Sequence, residues 1–419
     1  MSAPGRLGAP GGTVAHPAYR DVNVLRWLTG FATSLVGDQV YFVALAWAAV
    51  QVAEPAQVGL VMAAGSVPRL LLMLVGGVLA DRWGAKRLMI GSDVVRTAVM
   101  AVTAIGLATS TPSVAALVVV AVLFGLVDAL FLPAVGSLPP RLVEPDELAR
   151  LQAMRDLVQR GAIVLGAPLG GWVVATHGVA AAFAVNAVTF AVSVLALAAT
   201  RLRPAPVQPA NGKAAVLGEV VGGLRYVRHS PLLLPLLVTA GVSELGFTGS
   251  FNVGVPLLAA SSGWGASGVG LLVGAFGLGA ALTTLALVVL GRVPRAGLAV
   301  GVAVCMMSLA VAGIGLAPTR TAAAVAGLAL GLCAGVAGSL FGALLLAETD
   351  GAYLGRVVSL SSLASFGGIP VSYALTGALA GVFGPTSTFV GGGLVSLCAG
   401  VYALSAPAVR RAELPVRGV

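Results

Sequence analysis

The sequence predicts an all-α membrane protein in which twelve transmembrane helices pack as two six-helix bundles. Three observations lead there. Of 419 residues, 58% are hydrophobic and only 9% charged, and the mean hydropathy is +1.00, whereas about a quarter of an ordinary soluble chain is charged. Apolar runs long enough to cross a bilayer, about 20 residues each, follow one another with short interruptions. The two halves of the chain also match at an offset of 206 residues.

In chain order, residues 1–20 are rich in Gly, Pro and Ala and read as a disordered cytoplasmic tail, without the apolar core and cleavage site of a signal peptide. The first bundle is expected over 21–200, with spans near 24–50, 57–80, 88–108, 113–135, 157–177 and 179–200. Residues 201–230 carry Pro204, Pro206, Pro209, Asn211 and Gly212, then an amphipathic piece with Arg225 and Arg228, and read as a cytoplasmic linker. The second bundle is expected over 231–407, with spans near 231–259, 266–290, 296–316, 321–347, 357–382 and 385–407, and a cytoplasmic tail follows at 408–419. Most of the 57 Gly and 23 Pro lie in or beside these runs, where they pack or bend helices.

The basic residues set the orientation. Of 24 Lys and Arg, Arg320 alone falls in a loop of one parity, Arg69 and Arg96 fall within spans, and the other 21 lie on the opposite side. Lys and Arg collect on the cytoplasmic face, so both termini are expected there and the chain in the inner (cytoplasmic) membrane. The same bias accounts for the net charge of +9 without invoking nucleic acid. Cys305, Cys333 and Cys398 lie in apolar runs with no metal or redox spacing and read as small apolar residues.

The repeat places Leu148 and Arg150 on Leu354 and Arg356, and Gly125, Gly136, Gly161 and Gly178 on Gly331, Gly342, Gly367 and Gly384. Asp38 in the first span falls on Glu244 in the seventh. Charged matches are rarer than glycine matches here, and both support a parallel duplication whose substrate site lies between the halves near mid-bilayer.

An ionisable group inside a bilayer costs several kcal/mol by insertion scales and is a functional candidate by default. Asp38, Arg69, Asp128 and Glu244 are the candidates for substrate or proton coupling. A carboxylate in low dielectric is suited to exchanging a proton. Arg69 pairing with Asp38 or Asp128 as a purely structural ion pair is an equal reading. Glu244 has no cation within its own half's spans, which favours coupling or substrate contact over pairing.

After the second span comes Gly77-Val78-Leu79-Ala80-Asp81-Arg82-Trp83-Gly84-Ala85-Lys86-Arg87. Gly77 permits close approach and Gly84 a turn, while Asp81 suits a helix N-terminus. This loop resembles the signature between helices 2 and 3 of the major facilitator superfamily, with Ala85 where a basic residue is more usual. Asp93 and Arg96 on one face of the third span, and the Glu144-Pro145-Asp146-Glu147-Leu148 loop, resemble the branch of macrolide-efflux and enterobactin-exporter transporters. The resemblance runs from Val24 to about Leu404.

That resemblance implies the major facilitator fold and a gating motif of Gly77, Asp81, Arg82, Gly84, Lys86, Arg87, Asp93 and Arg96, with Arg292 and Arg295 as a degenerate copy. Gly166, Pro168, Gly170 and Gly171 in the fifth span are similar to the glycine-proline motif of drug antiporters, with Ala167 between the first glycine and the proline. Pro168 is expected to kink this helix. Gly327, Gly331 and Gly335 read first as helix packing.

Other function classes lack their residues. Neither Lys86 nor Lys213 ends a Gly-x-x-x-x-Gly-Lys loop, His16, His177 and His229 form no His-Glu-x-x-His, and no Gly-x-Ser-x-Gly is present. No enzyme, metal or cofactor is expected, and a monomer is. The scattered charges do not suit the ring symmetry of a channel. The leading expectation is proton antiport that exports a lipophilic, cationic drug or natural product from one apolar cavity holding Asp38, Asp128 and Glu244, in the manner of multidrug or macrolide resistance. The alternative is export of an anionic metabolite such as a siderophore, with Arg69 as its contact.

Overall fold

Asp21 starts the first span by accepting hydrogen bonds from the backbone N–H groups of Asn23 and Val24 at 2.7 and 3.4 Å, satisfying donors that a helix start leaves open. In this computed structural model the described residues are 18–203, 216–291 and 293–414, and the side chains of 73–82, 132–133 and 216–221 lie outside the description. Helix α1 (Val22–Val52) is followed by α2 (Pro55–Trp83), α3 (Ala85–Thr109) and α4 (Val114–Ser137). Then comes α5 (Leu148–Ala199), followed by α6 (Val216–His229).

The second half holds α7 (Leu233–Gly249), a π-helical turn at Ser250–Gly254, α8 (Val255–Ser261), α9 (Gly265–Leu290), α10 (Ala296–Gly315) and α11 (Arg320–Glu348). It closes with α12 (Leu354–Gly367), α13 (Ile369–Phe383), α14 (Pro385–Ser405) and the short α15 (Pro407–Arg411).

Eleven described helical stretches are long and apolar enough to cross a membrane. Helix α5, at 52 residues, supplies two of the crossings. At about 1.5 Å per residue it is more than twice the thickness of a hydrocarbon core. The one residue inside it with non-helical angles is Gly178, at φ 82° and ψ 173°, a conformation open essentially to glycine alone. The break is therefore at Gly178, where the sequence reading divides two spans, and not at Pro168.

Both arms of α5 return to α1. Gly30 lies against Leu197 and Gly37 against Asn186 and Thr189, while Gly166 and Gly170 lie against Gln39 and Val40. Helices α2 and α4 meet at Gly65 and Gly125, and α9 and α11 meet along Gly279, Gly327, Gly331 and Gly335. Without a hydrophobic force between helices in lipid, such close backbone approach supplies the van der Waals contact. The glycine series in α11 is thus a packing seam.

Among the described residues, paired glycines bring the halves into close backbone contact at two places. A Cβ added to Gly59 of α2 would stand 2.9 Å from Gly377 Cα of α13, and one added to Gly171 of α5 would stand 3.0 Å from Gly270 Cα of α9. Both places are remote from the termini, because α2 and α9 each start on the far side of the membrane. Toward the terminus-bearing side each half holds a cavity of its own, reaching Arg155 and Gln159 in the first and Ala337 and Phe341 in the second. On that side α6 lies along α12, with Tyr226 and Tyr353 stacked at 4.3 Å and the Tyr226 hydroxyl donating to Asp350 at 3.3 Å.

Candidate functional site

Four helices of the first half bring five ionisable side chains together. Arg96 of α3 is 1% exposed and stands at the centre. Its Nη2 donates to Asp128 Oδ1 of α4 at 2.6 Å, and its Nη1 lies 3.6 Å from Asp93 Oδ1 and 3.8 Å from Asp38 Oδ1 of α1. Arg69 Nε of α2 pairs with the other Asp128 oxygen, Oδ2, at 3.0 Å. The sequence alternatives for Arg69 are thereby resolved in favour of Asp128.

The carboxylates are not equally held. Asp93 is fully buried, and Ser193 Oγ donates to its Oδ2 at 2.6 Å while Ser34 Oγ lies 3.5 Å from Oδ1. Asp128 has a guanidinium on each oxygen. Asp38 Oδ1 is buried with no hydrogen-bond partner among the described residues, as are Arg96 Nη1 and Nε. Asp38 is the loosest member of a cluster of three carboxyl and two guanidinium groups, with one acidic group in excess.

Aromatic rings close the cluster against lipid. Arg96 Cζ lies 4.5, 5.1 and 5.3 Å from the ring centres of Phe131, Phe124 and Phe190. Cation–π attraction offsets part of the cost of burying the guanidinium, and it is strongest where water is excluded. The rings also keep the charges in low dielectric, where a change of one proton is felt by every neighbour.

Arg69 faces outward from the cluster. Its side chain is 31% exposed, and its Cζ lies 5.5 Å from the ring centre of Phe366 in the other half. Together with Phe42 it borders three adjoining cavities of about 60, 230 and 240 Å³. The largest also takes in Asp38, Asp128, Arg155 and Gln159. The second lies between the halves and includes Thr248, Asn252 and Tyr373.

Glu244 stands elsewhere. It is half-buried, accepts a hydrogen bond from Thr248 Oγ1 at 2.6 Å, and lines a separate cleft of about 260 Å³ within the second half. None of that cleft's lining residues borders the three central cavities. The expectation of one apolar cavity holding Asp38, Asp128 and Glu244 is corrected: the duplicated positions 38 and 244 each serve their own half, with Phe247, Phe251 and Phe276 packed between.

The sequence model of the Major Facilitator Superfamily matches residues 27–251, more than half of the chain. The chain belongs to the major facilitator superfamily. It is 27% identical over 381 residues to the enterobactin exporter EntS of Citrobacter koseri, covering 89% of this chain and 88% of that protein. Against the enterobactin exporter EntS of Shigella boydii serotype 18 it is 27% identical over 397 residues, with 93% and 91% covered. In fold it is similar to a solved POT peptide transporter in complex with sulfate, with TM-score 0.73, 17% identity and 97% of each chain covered. A D-xylose–proton symporter follows, with TM-score 0.68, 13% identity and 94% and 98% covered.

As a major facilitator protein, the chain has its loop between α2 and α3 at Gly84, whose φ of 82° makes the turn. Gly77, Asp81 and Arg82 fall outside the described side chains, and Arg292 lies outside the described residues. Lys86 donates to the backbone oxygens of Ala198 and Thr200 at 3.0 and 2.6 Å, binding the loop to the end of α5, where a cation suits the helix dipole. Arg87 is exposed. Asp93 and Arg96, grouped with this loop by resemblance, lie in the charge cluster, where Arg96 contacts Asp93, Asp38 and Asp128.

The helix-5 residues face two ways. Gly166 and Gly170 meet α1, whereas Pro168 and Gly171 meet α9, with Pro168 against Gly274 and Gly171 against Gly270. The motif therefore joins its own bundle to the opposite half. Ser34, Ser193 and the cage of Phe124, Phe131 and Phe190 are site residues that sequence reasoning did not find. Arg96 carried a signal of its own: an arginine within a span, three residues after Asp93.

Proposed function

We propose that the chain is a secondary active exporter that exchanges protons for a lipophilic, positively charged small molecule, with its terminus-bearing side in the cytoplasm of a bacterial cell. The observation that carries this reading is the unbalanced cluster, three carboxylates against two guanidinium groups, with Asp38 least held and bordering the cavity. A proton or an organic cation balances the excess charge, but not both together. Each then lowers the affinity for the other, and reciprocity of binding makes this the condition for exchange.

Entry is from the terminus-bearing side, where the cavity reaches Arg155 and Gln159. Closure there and parting of the glycine contacts at the far side would expose Asp38 to external protons, which displace the cation. Phe31, Phe42 and Phe131 give the cavity walls suited to a lipophilic body.

A second reading, export of an anionic product such as a siderophore, is favoured by the exposed face of Arg69 and by the names of the relatives. The residue on which transport depends separates the two. An anion on Arg69 competes with Asp128 for the guanidinium, so this reading puts substrate binding on Arg69. The test uses everted vesicles with an acidified lumen and a lipophilic dye cation as substrate. Exchange predicts alkalinisation of the lumen on adding the dye, abolished by Asp38→Asn; no alkalinisation, with transport of a catecholate anion lost in Arg69→Gln, would favour the second reading.

A further inference from the structure

We propose that the Glu244 cleft is a second binding site for the transported lipophilic cation, separated from the central cavities by a partition of three phenylalanine rings. The inference rests on the reading of the chain as an exporter of such cations and adds a place that the central cluster does not use.

The cleft has the lining of a small-molecule site. Its volume of about 260 Å³ is of the same order as the central cavities of about 230 and 240 Å³, and mostly apolar walls with one carboxylate are the usual make-up of a ligand pocket. Its walls include Phe247, Phe276, Phe341 and Met307, and its carboxylate is Glu244. Aromatic and thioether walls favour a diffuse organic cation over a small hydrated one, because they attract positive charge without replacing a hydration shell.

Glu244 is available for such a ligand. Thr248 occupies Oε2, no hydrogen bond reaches Oε1, and no Lys or Arg stands within 4.0 Å, all among the described residues. An unpaired carboxylate inside a bilayer is costly, and a bound cation or a proton removes that cost. The central cluster lies in the other half, so the two sites draw on separate charges.

The partition is visible in the rings. Phe247 and Phe276 line the cleft, while Phe251 lines the cavity between the halves. Their centres are 5.2 Å apart for Phe247–Phe251, 5.5 Å for Phe247–Phe276 and 4.8 Å for Phe251–Phe276. Phe251 belongs to the π-helical turn, and such single turns interrupt the regular ladder most often at functional positions.

The experiment is equilibrium dialysis of radiolabelled tetraphenylphosphonium against the full-length protein in lipid nanodiscs, with empty nanodiscs as blank. Wild type is expected to bind two cations per chain at saturation. Glu244→Gln removes one, and so does Ala337→Phe, which fills the cleft and leaves the carboxylate in place. Asp38→Asn removes the other, and Asp38→Asn with Glu244→Gln removes both.

If Glu244→Gln and Ala337→Phe retain the wild-type stoichiometry, the cleft is not a cation site; absence of binding to the wild type overturns it equally. A misfolded variant is recognised because it loses the Asp38-dependent site as well. Binding that responds to Glu244→Gln but not to Asp38→Asn keeps the cleft and overturns the central reading, and the opposite pattern does the reverse.

Discussion

Gly178 and Gly384, 206 residues apart, hold the same backbone conformation: φ 82° and ψ 173° at the first, φ 81° and ψ 165° at the second. Each reverses the chain before the last helix of its half. The duplication is thus retained in the geometry of a turn, where sequence similarity alone is thin.

Replacement of either glycine by alanine places a Cβ in a region of backbone space that is essentially reserved for glycine. Gly178→Ala and Gly384→Ala are each expected to destabilise by about 1–3 kcal/mol. The two effects should add, since the positions lie in different bundles. Thermal unfolding followed by size-exclusion chromatography checks this, and an unchanged midpoint for either variant contradicts it.

Arg96 holds three carboxylates. Removing one member of a buried ion network leaves uncompensated charge at a cost of about 3–5 kcal/mol. Arg96→Gln is expected to lower the yield of folded protein sharply, and the double change Arg96→Gln with Asp93→Asn to recover part of it. Equal yields for the single and double variants would show that Asp93 and Arg96 are not energetically linked.

The contact between Gly59 and Gly377 has no room for a side chain. Gly59→Ala and Gly377→Ala should part the halves at the far side and shift the population toward the state open there. A cysteine replacing Ser66, which borders the cavity of Arg69 and Tyr373, should then react several-fold faster with a membrane-impermeant maleimide added from outside. No change in rate would mean that this seam does not control access.

Lys86 offers a smaller test. It ties the loop to the last carbonyls of α5, an interaction of at most about 1 kcal/mol for a cation at a helix end. Lys86→Gln is expected to lower the unfolding midpoint slightly while leaving dye binding unchanged; a loss of binding would place Lys86 nearer the transport cycle than its contacts indicate.

The crossings were legible because a span is a local property: twenty apolar residues have few other destinations. The turn at Gly178 was legible for the same reason, and Gly327, Gly331 and Gly335 declared their seam by spacing. Asp38, Asp128 and Arg69 could be named as candidates from their depth, but their pairing depends on how α1, α2 and α4 rotate about their axes, which no local pattern records. Ser34 and Ser193 escaped notice because hydroxyls abound in membrane helices, commonly bonded to their own backbone, as Thr97 and Thr103 are here. Glu244 showed its isolation but not its separate cleft, since that depends on where three aromatic rings meet.

The two glycine contacts between the halves are related in part by the repeat, for Gly171 falls on Gly377 at the offset of 206 residues, while the glycines they meet, Gly270 and Gly59, stand 211 residues apart. At both, main chain rests on main chain. Separating them frees no long side chain that must later be ordered again, so the seam can open and shut without a rotamer search.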